Sequence, residues 1–84
     1  MIFKMTTYRE VDIFVSIDER RRLIAEHSGK YAFIYRHSTG LDADHGIIEV
    51  ANTNGSFRLV THSPEYKRDE IPYADLSKLL VAVD

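Results

Sequence analysis

The chain has 84 residues, 44% apolar and 29% charged, with four Gly, two Pro and no Cys. That leaves room for one modest core, and the composition is that of an ordinary folded globule rather than a disordered, fibrous or multidomain protein. The lack of Cys excludes disulfides, thiolate zinc sites and a cysteine nucleophile, and a formal net charge of −2 offers no general field to a phosphate backbone. No apolar stretch approaches the roughly 20 residues of a membrane span. The start, Met-Ile-Phe-Lys-Met, has no signal-peptide layout, so a cytoplasmic location is expected. Residues 1–84 are expected to form a single unit, with 1–7 a loose start.

From Tyr8 to Ile17 apolar and polar residues alternate, with Val11, Ile13, Val15 and Ile17 on one side, which predicts a half-buried strand. Ser16 with Glu19 three residues later forms a capping box and predicts a helix from Ile17 or Asp18 to His27. Asp18 and Glu19 suit its positive end, Gly29 suits the stop, and Leu23, Ile24 and His27 form a narrow inward face. Lys30 to His37 reads as a second strand, with Tyr31, Phe33, Tyr35 and His37 on one face and Ala32, Ile34 and Arg36 on the other. Both faces carry apolar residues, so the strand should be central. A nine-residue connection follows, Ser38 to Gly46.

Asn54-Gly55 between Ile47–Asn52 and Ser56–His62 is a strong hairpin signal. A two-residue loop there would pair Val50 with Leu59 and Ile48 with Thr61, making Ile48, Val50, Phe57, Leu59 and Thr61 a core face. The opposite face would carry Ile47 with His62, Glu49 with Val60, and Ala51 with Arg58. After the charged stretch Glu65 to Glu70, Pro72 suits a helix start, and Tyr73, Leu76, Leu79, Leu80 and Val83 follow at helical spacing. The resulting expectation is an α+β two-layer sandwich in β-α-β-β-β-α order, a mainly antiparallel sheet with two helices on one face.

His27, His37, His45 and His62, with Asp42, Asp44 and Glu49, show no metal-ligand spacing, and Asp42 to Gly46 lacks the later ligands of a calcium loop. No metal and no cofactor are expected. The alternating aromatics Tyr31, Phe33 and Tyr35, flanked by Lys30 and Arg36, have the spacing of rings that stack single-stranded RNA, and the strand resembles the central strand of the RNA recognition motif. It departs from that motif in Lys30, which separates Gly29 from the first ring, in the lack of a second aromatic strand, and in the order of elements. The α-β-β-β-α order over about residues 18 to 83 is similar to the double-stranded RNA-binding fold and to small ribonuclease toxins built on it. That resemblance implies a lysine cluster at the start of the last helix, where this chain has Pro72-Tyr73-Ala74-Asp75, and in the toxins a strand histidine, where it has Ser28-Gly29-Lys30-Tyr31.

Three successive arginines, Arg20, Arg21 and Arg22, fan around a helical turn, so at least one must lie along apolar surface with its charged head in water. The chain carries no Gly-rich phosphate loop, no nucleophile elbow and no His-Glu-x-x-His. The expectation is a small non-enzymatic module that binds another protein, of the kind a phage or mobile element uses as a stoichiometric inhibitor or regulator of a host defence such as a CRISPR complex. A homodimer is a further expectation, because an apolar edge strand such as Val11 to Ile17 invites pairing. The alternative is an RNA-binding or toxin-like ribonuclease protein. The partner-binding residues expected are Tyr31, Phe33, Tyr35, Arg36, Glu49, Arg58 and His62 on the sheet and Arg20 and Arg21 on the helix.

Overall fold

A computed structural model describes residues 6–50, 55–60 and 70–83. The helix α1 (Ile17–Glu26) forms where its signals stand. Ser16 accepts a hydrogen bond from the Glu19 amide at 3.2 Å, and Asp18 and Glu19 occupy the first turn. Gly29, at φ +86°, reverses the chain just beyond the helix, a conformation costly for any residue with a Cβ. Ile24 is fully buried. His27, also buried, donates its Nδ1 hydrogen to the Leu23 carbonyl at 2.7 Å, so this histidine is spent on ending the helix.

Six strands form one sheet: β1 (Tyr8–Val11), β2 (Tyr31–Arg36), β3 (Ala43–Glu49), β4 (Ser56–Val60), β5 (Glu70–Pro72) and β6 (Leu76–Ala82), with a 3₁₀ turn over Tyr73–Asp75. They lie in the order β1-β6-β2-β3-β4-β5, and every neighbouring pair is antiparallel. Among the described residues this is a small α+β domain with one helix, in place of the two helices and β-α-β-β-β-α order expected. Since the closing element is a strand, the α-β-β-β-α order that suggested a double-stranded RNA-binding fold is not formed.

The last strand has a spacing that imitates a helix for a specific reason. Tyr35 pairs with Lys78 while Arg36 pairs with Leu76, so Ser77 is an extra residue, a β-bulge. The bulge turns one two-residue step into a three-residue step, and Leu76 and Leu79 both face the core. Beyond it the ordinary alternation resumes, with Leu79 and Val81 buried and Lys78, Leu80 and Ala82 on the other side. Leu79 and Val81 then pair with Ile34 and Ala32, which is why β2 is central and apolar on this face.

The β3–β4 register also differs. Ile48 pairs with Leu59 and Glu49 with Arg58, two residues from the register of a two-residue Asn54-Gly55 loop. A shift of two preserves the faces, so Ile48, Phe57 and Leu59 remain core, but Val50 is left 38% exposed. Val60 and Arg58 accordingly pair with Ile47 and Glu49 in place of the Glu49 and Ala51 expected, and Ala51, Thr61 and His62 lie outside the described residues. The connection after β2 is shorter than expected, because Ala43 to Gly46 already belong to β3. Likewise β1 ends at Val11, and Asp12 to Ser16 run as a loop whose Ile13 drops into the core.

Arg20 holds this loop to the far end of the chain. Its guanidinium donates to the carbonyls of Ile13 at 2.8 Å and Tyr73 at 3.1 Å, with Leu76 at 3.5 Å. It is the inward arginine of the run, and its head is engaged by backbone carbonyls. Beneath the sheet's far half Phe57 and Tyr73 stack with ring centroids 5.3 Å apart, both buried. Burial pushes the Tyr73 phenol up from its ordinary pKa, against the charge of Arg21.

Candidate functional site

With α1 on one side, the alternation of each strand sends the remaining side chains to the other side of the sheet. On β2 these are Tyr31, Phe33 and Tyr35, each half-buried. The register brings Tyr8 and Glu10 of β1, Lys78 and Leu80 of β6, and His45 and Ile47 of β3 onto the same side. The rings meet edge to face. Tyr8 and Phe33 lie 5.1 Å apart, and Tyr31 and Phe33 5.9 Å. His45 extends the row, 5.5 Å from Phe33, and shares a 2.6 Å hydrogen bond between its Nδ1 and the Tyr31 hydroxyl. At the other end the Lys78 ammonium sits over the Tyr35 ring, 5.7 Å from its centroid.

Tyr8 reaches Phe33 across β6 because its partner there, Ala82, is small. Burial within the row pushes the Tyr31 phenol above its ordinary pKa, and Tyr8 adds to the shift, so Tyr31 keeps its proton and its capacity to donate. The arrangement offers a rigid, largely apolar surface with polar tips at Tyr8, Tyr31, Tyr35 and His45. It brings together no nucleophile, base and orienting group among the described residues. Among the described residues no three His, Asp or Glu side chains gather as a metal-binding group.

Glu49 and Arg58, both expected at the site, lie on the same sheet face as the row. They form a charged rim, with Arg58 4.0 Å from Glu49 and 3.0 Å from Glu70. His62 lies outside the described residues. Arg36 is on the helix side, where its Nε donates to Asp75 at 2.9 Å and its charge lies 3.9 Å from Asp44. Arg20 is engaged by carbonyls, and Arg21 pairs with Asp18 at 3.0 Å on the helix. The expected residues thus separate into a ring face that carries Tyr31, Phe33, Tyr35, Glu49 and Arg58, and internal or helical ties made by Arg36, Arg20 and Arg21.

Tyr8, His45 and Lys78, which make the ring contacts of the face, were not among the expected site residues. Tyr8 needed the β1–β6 pairing, which is long-range, and Lys78 stood on an expected helix. His45 stood on an expected loop, although extending the alternation of Ile47 and Glu49 back by two residues would have placed it.

The Arg36–Asp75 pair anchors the turn after β2. Asp75 also accepts from the Ser38 amide at 3.0 Å and from the Ser38 hydroxyl. The Ser38 hydroxyl chiefly, then Arg36 and the Ser38 amide, hold the Asp75 carboxyl below its ordinary pKa against an opposing effect of burial. A carboxyl depressed in the folded state contributes stability above its unfolded pKa, and that contribution is lost as pH falls through the folded value. Thermal melts at neutral pH and at about pH 3 are therefore expected to show Asp75→Asn lowering the melting temperature at neutral pH and the difference from the parent shrinking in acid.

Compared with known protein families, with curated proteins and with solved structures, the chain matches none.

Proposed function

We propose that this protein is a non-enzymatic binding module whose partner is another protein, engaged through the ring face of the sheet. The observation that carries the reading is the continuous row Tyr8–Phe33–Tyr31–His45 on the side of the sheet opposite α1. Aromatic side chains held in place by one another supply contact area at little entropic cost and are the residue types that dominate protein interfaces. The charges around the row favour a protein over a nucleic acid. Among the described residues Glu10, Glu49 and Glu70 share the face with Lys78 and Arg58, and Arg58 is already paired, whereas a stacking platform for single strands combines its rings with a basic groove. The finer form of the reading is a stoichiometric inhibitor or regulator of phage or mobile-element origin, which blocks a host defence nuclease by occupying one of its surfaces.

Retention of a partner from host lysate by the immobilised chain, before and after nuclease digestion, tests the reading when repeated with Phe33→Ser and Tyr31→Ser. One protein retained after digestion, with its affinity lowered about 30-fold or more by either substitution, is the expected result, since a central interface ring is typically worth ~2 kcal/mol. Circular dichroism would show the variants folded. Retained RNA, or loss of every partner on digestion, would overturn the reading in favour of the RNA-binding alternative. For the inhibitor form, titration of the partner's activity should end at one equivalent.

A further inference from the structure

The loop between β1 and α1 carries a feature that the ring face does not use. Phe14 is 83% exposed, yet the two residues before it are fixed. Asp12 accepts a hydrogen bond from the Phe14 amide at 2.9 Å, the Ile13 side chain is buried, and the Ile13 carbonyl is held by Arg20 at 2.8 Å. A phenyl ring is therefore presented to solvent on a braced loop, so little ordering cost remains for a contact made by it.

Phe14 is one wall of a groove of about 260 Å³, whose other lining residues are Glu10, Val11, Asp12 and Ile13 on the same segment and Ser77 and Lys78 on β6. The groove exists because β1 ends at Val11 while β6 continues past it into the bulge at Ser77. An apolar cavity of roughly 150 Å³ suffices for benzene, so this groove has room for a phenyl ring. Its charges are of both signs, Glu10 and Asp12 on the β1 side and Lys78 on the β6 side.

We infer that the groove receives Phe14 of a second copy of this chain, in a two-fold homodimer. A two-fold interface brings one patch against itself, so each feature must find its complement within that patch. Here a projecting ring adjoins a hollow of sufficient size, and acids adjoin a lysine. Rotation about an axis between ring and groove seats both rings at once and sets each Lys78 against Glu10 and Asp12 of the other copy. The dimer leaves most of the ring row free, so each assembly presents two binding faces.

Sedimentation equilibrium over a concentration series tests this directly. The parent chain is expected to reach twice the 9.7 kDa chain mass, and Phe14→Ser to weaken association about 30-fold or more, as for an interface anchor. Phe14→Ser should fold normally, since the ring touches solvent. Lys78→Glu should also weaken association, and adding Glu10→Lys should restore it, which a general loss of stability would not do. A parent chain that stays at single-chain mass would overturn the inference. So would a Phe14→Ser dimer as tight as the parent's, or a dimer lost with Phe33→Ser and kept with Phe14→Ser, which would place the contact on the ring face. Glu10 and Lys78 stand on the ring face, whereas Phe14 lies off it on the loop after β1, so it is Phe14→Ser set against Phe33→Ser that separates failure here from failure of the proposed partner-binding role.

Discussion

Replacing Arg20 by alanine is expected to lower the melting temperature by roughly 10–20 °C, the equivalent of about 2–3 kcal/mol in a domain of this size. The guanidinium joins two stretches that are distant in sequence: the loop after β1, and the 3₁₀ turn with the start of β6. Without it, the carbonyls of Ile13 and Tyr73 lose a charged donor in a region where Ile13, Tyr73 and Leu76 are all buried. An acceptor stranded in such a place costs more than a hydrogen bond contributes on average. Lysine should recover less than half of the loss, because a single ammonium cannot reproduce the forked geometry that reaches Ile13 and Tyr73 together. Thermal denaturation of R20A and R20K followed by circular dichroism checks both statements. Equal melting temperatures for R20A and the parent would show that the two stretches are held by packing alone. The same substitution bears on the dimer, because Arg20 braces the loop that presents Phe14.

Gly46→Ala is the second change of this size. A Cβ at Gly46 would stand 2.8 Å from the Val60 carbonyl oxygen, 3.2 Å from its carbon and 3.3 Å from the Leu59 Cβ. The obstacle is the backbone of β4, which can retreat only by breaking the pairing of Ile47 with Val60 and Ile48 with Leu59. The φ of +158° adds strain for any residue with a side chain. A loss of about 2–3 kcal/mol is expected, at the upper end of what overpacking costs. Gly55→Ala is the control, since a Cβ there meets nothing within 4 Å. Chemical denaturation of the two variants should separate them clearly, and a G46A variant as stable as G55A would mean that β3 and β4 can move apart without cost.

Much of the candidate site was legible because a strand's alternation is a local property. Tyr31, Phe33 and Tyr35 must share one face of β2 and oppose Ala32 and Ile34 whatever the strand's neighbours are. The choice of exposed face was not legible. It depends on where α1 packs, and both faces of β2 are apolar enough to be covered. The same limit applies to Arg36 and Arg20. Their charge suggested a surface role, but their partners, Asp75 for one and the Tyr73 carbonyl for the other, lie 39 and 53 residues away.

The sequence by itself determined the elements whose signals are short-range: the α1 start at Ser16, its stop before Gly29, the central character of β2 and the inward faces of β3 and β4. The tertiary structure decided the rest. Leu76 and Leu79 have a spacing that suits a helix or a bulged strand equally well, and only pairing of the last segment with β2 on one side and β1 on the other selects the strand, because both flanking ladders then satisfy its backbone. That choice leaves α1 as the helix that covers the sheet and brings Tyr8, Phe33, Tyr31 and His45 into one row.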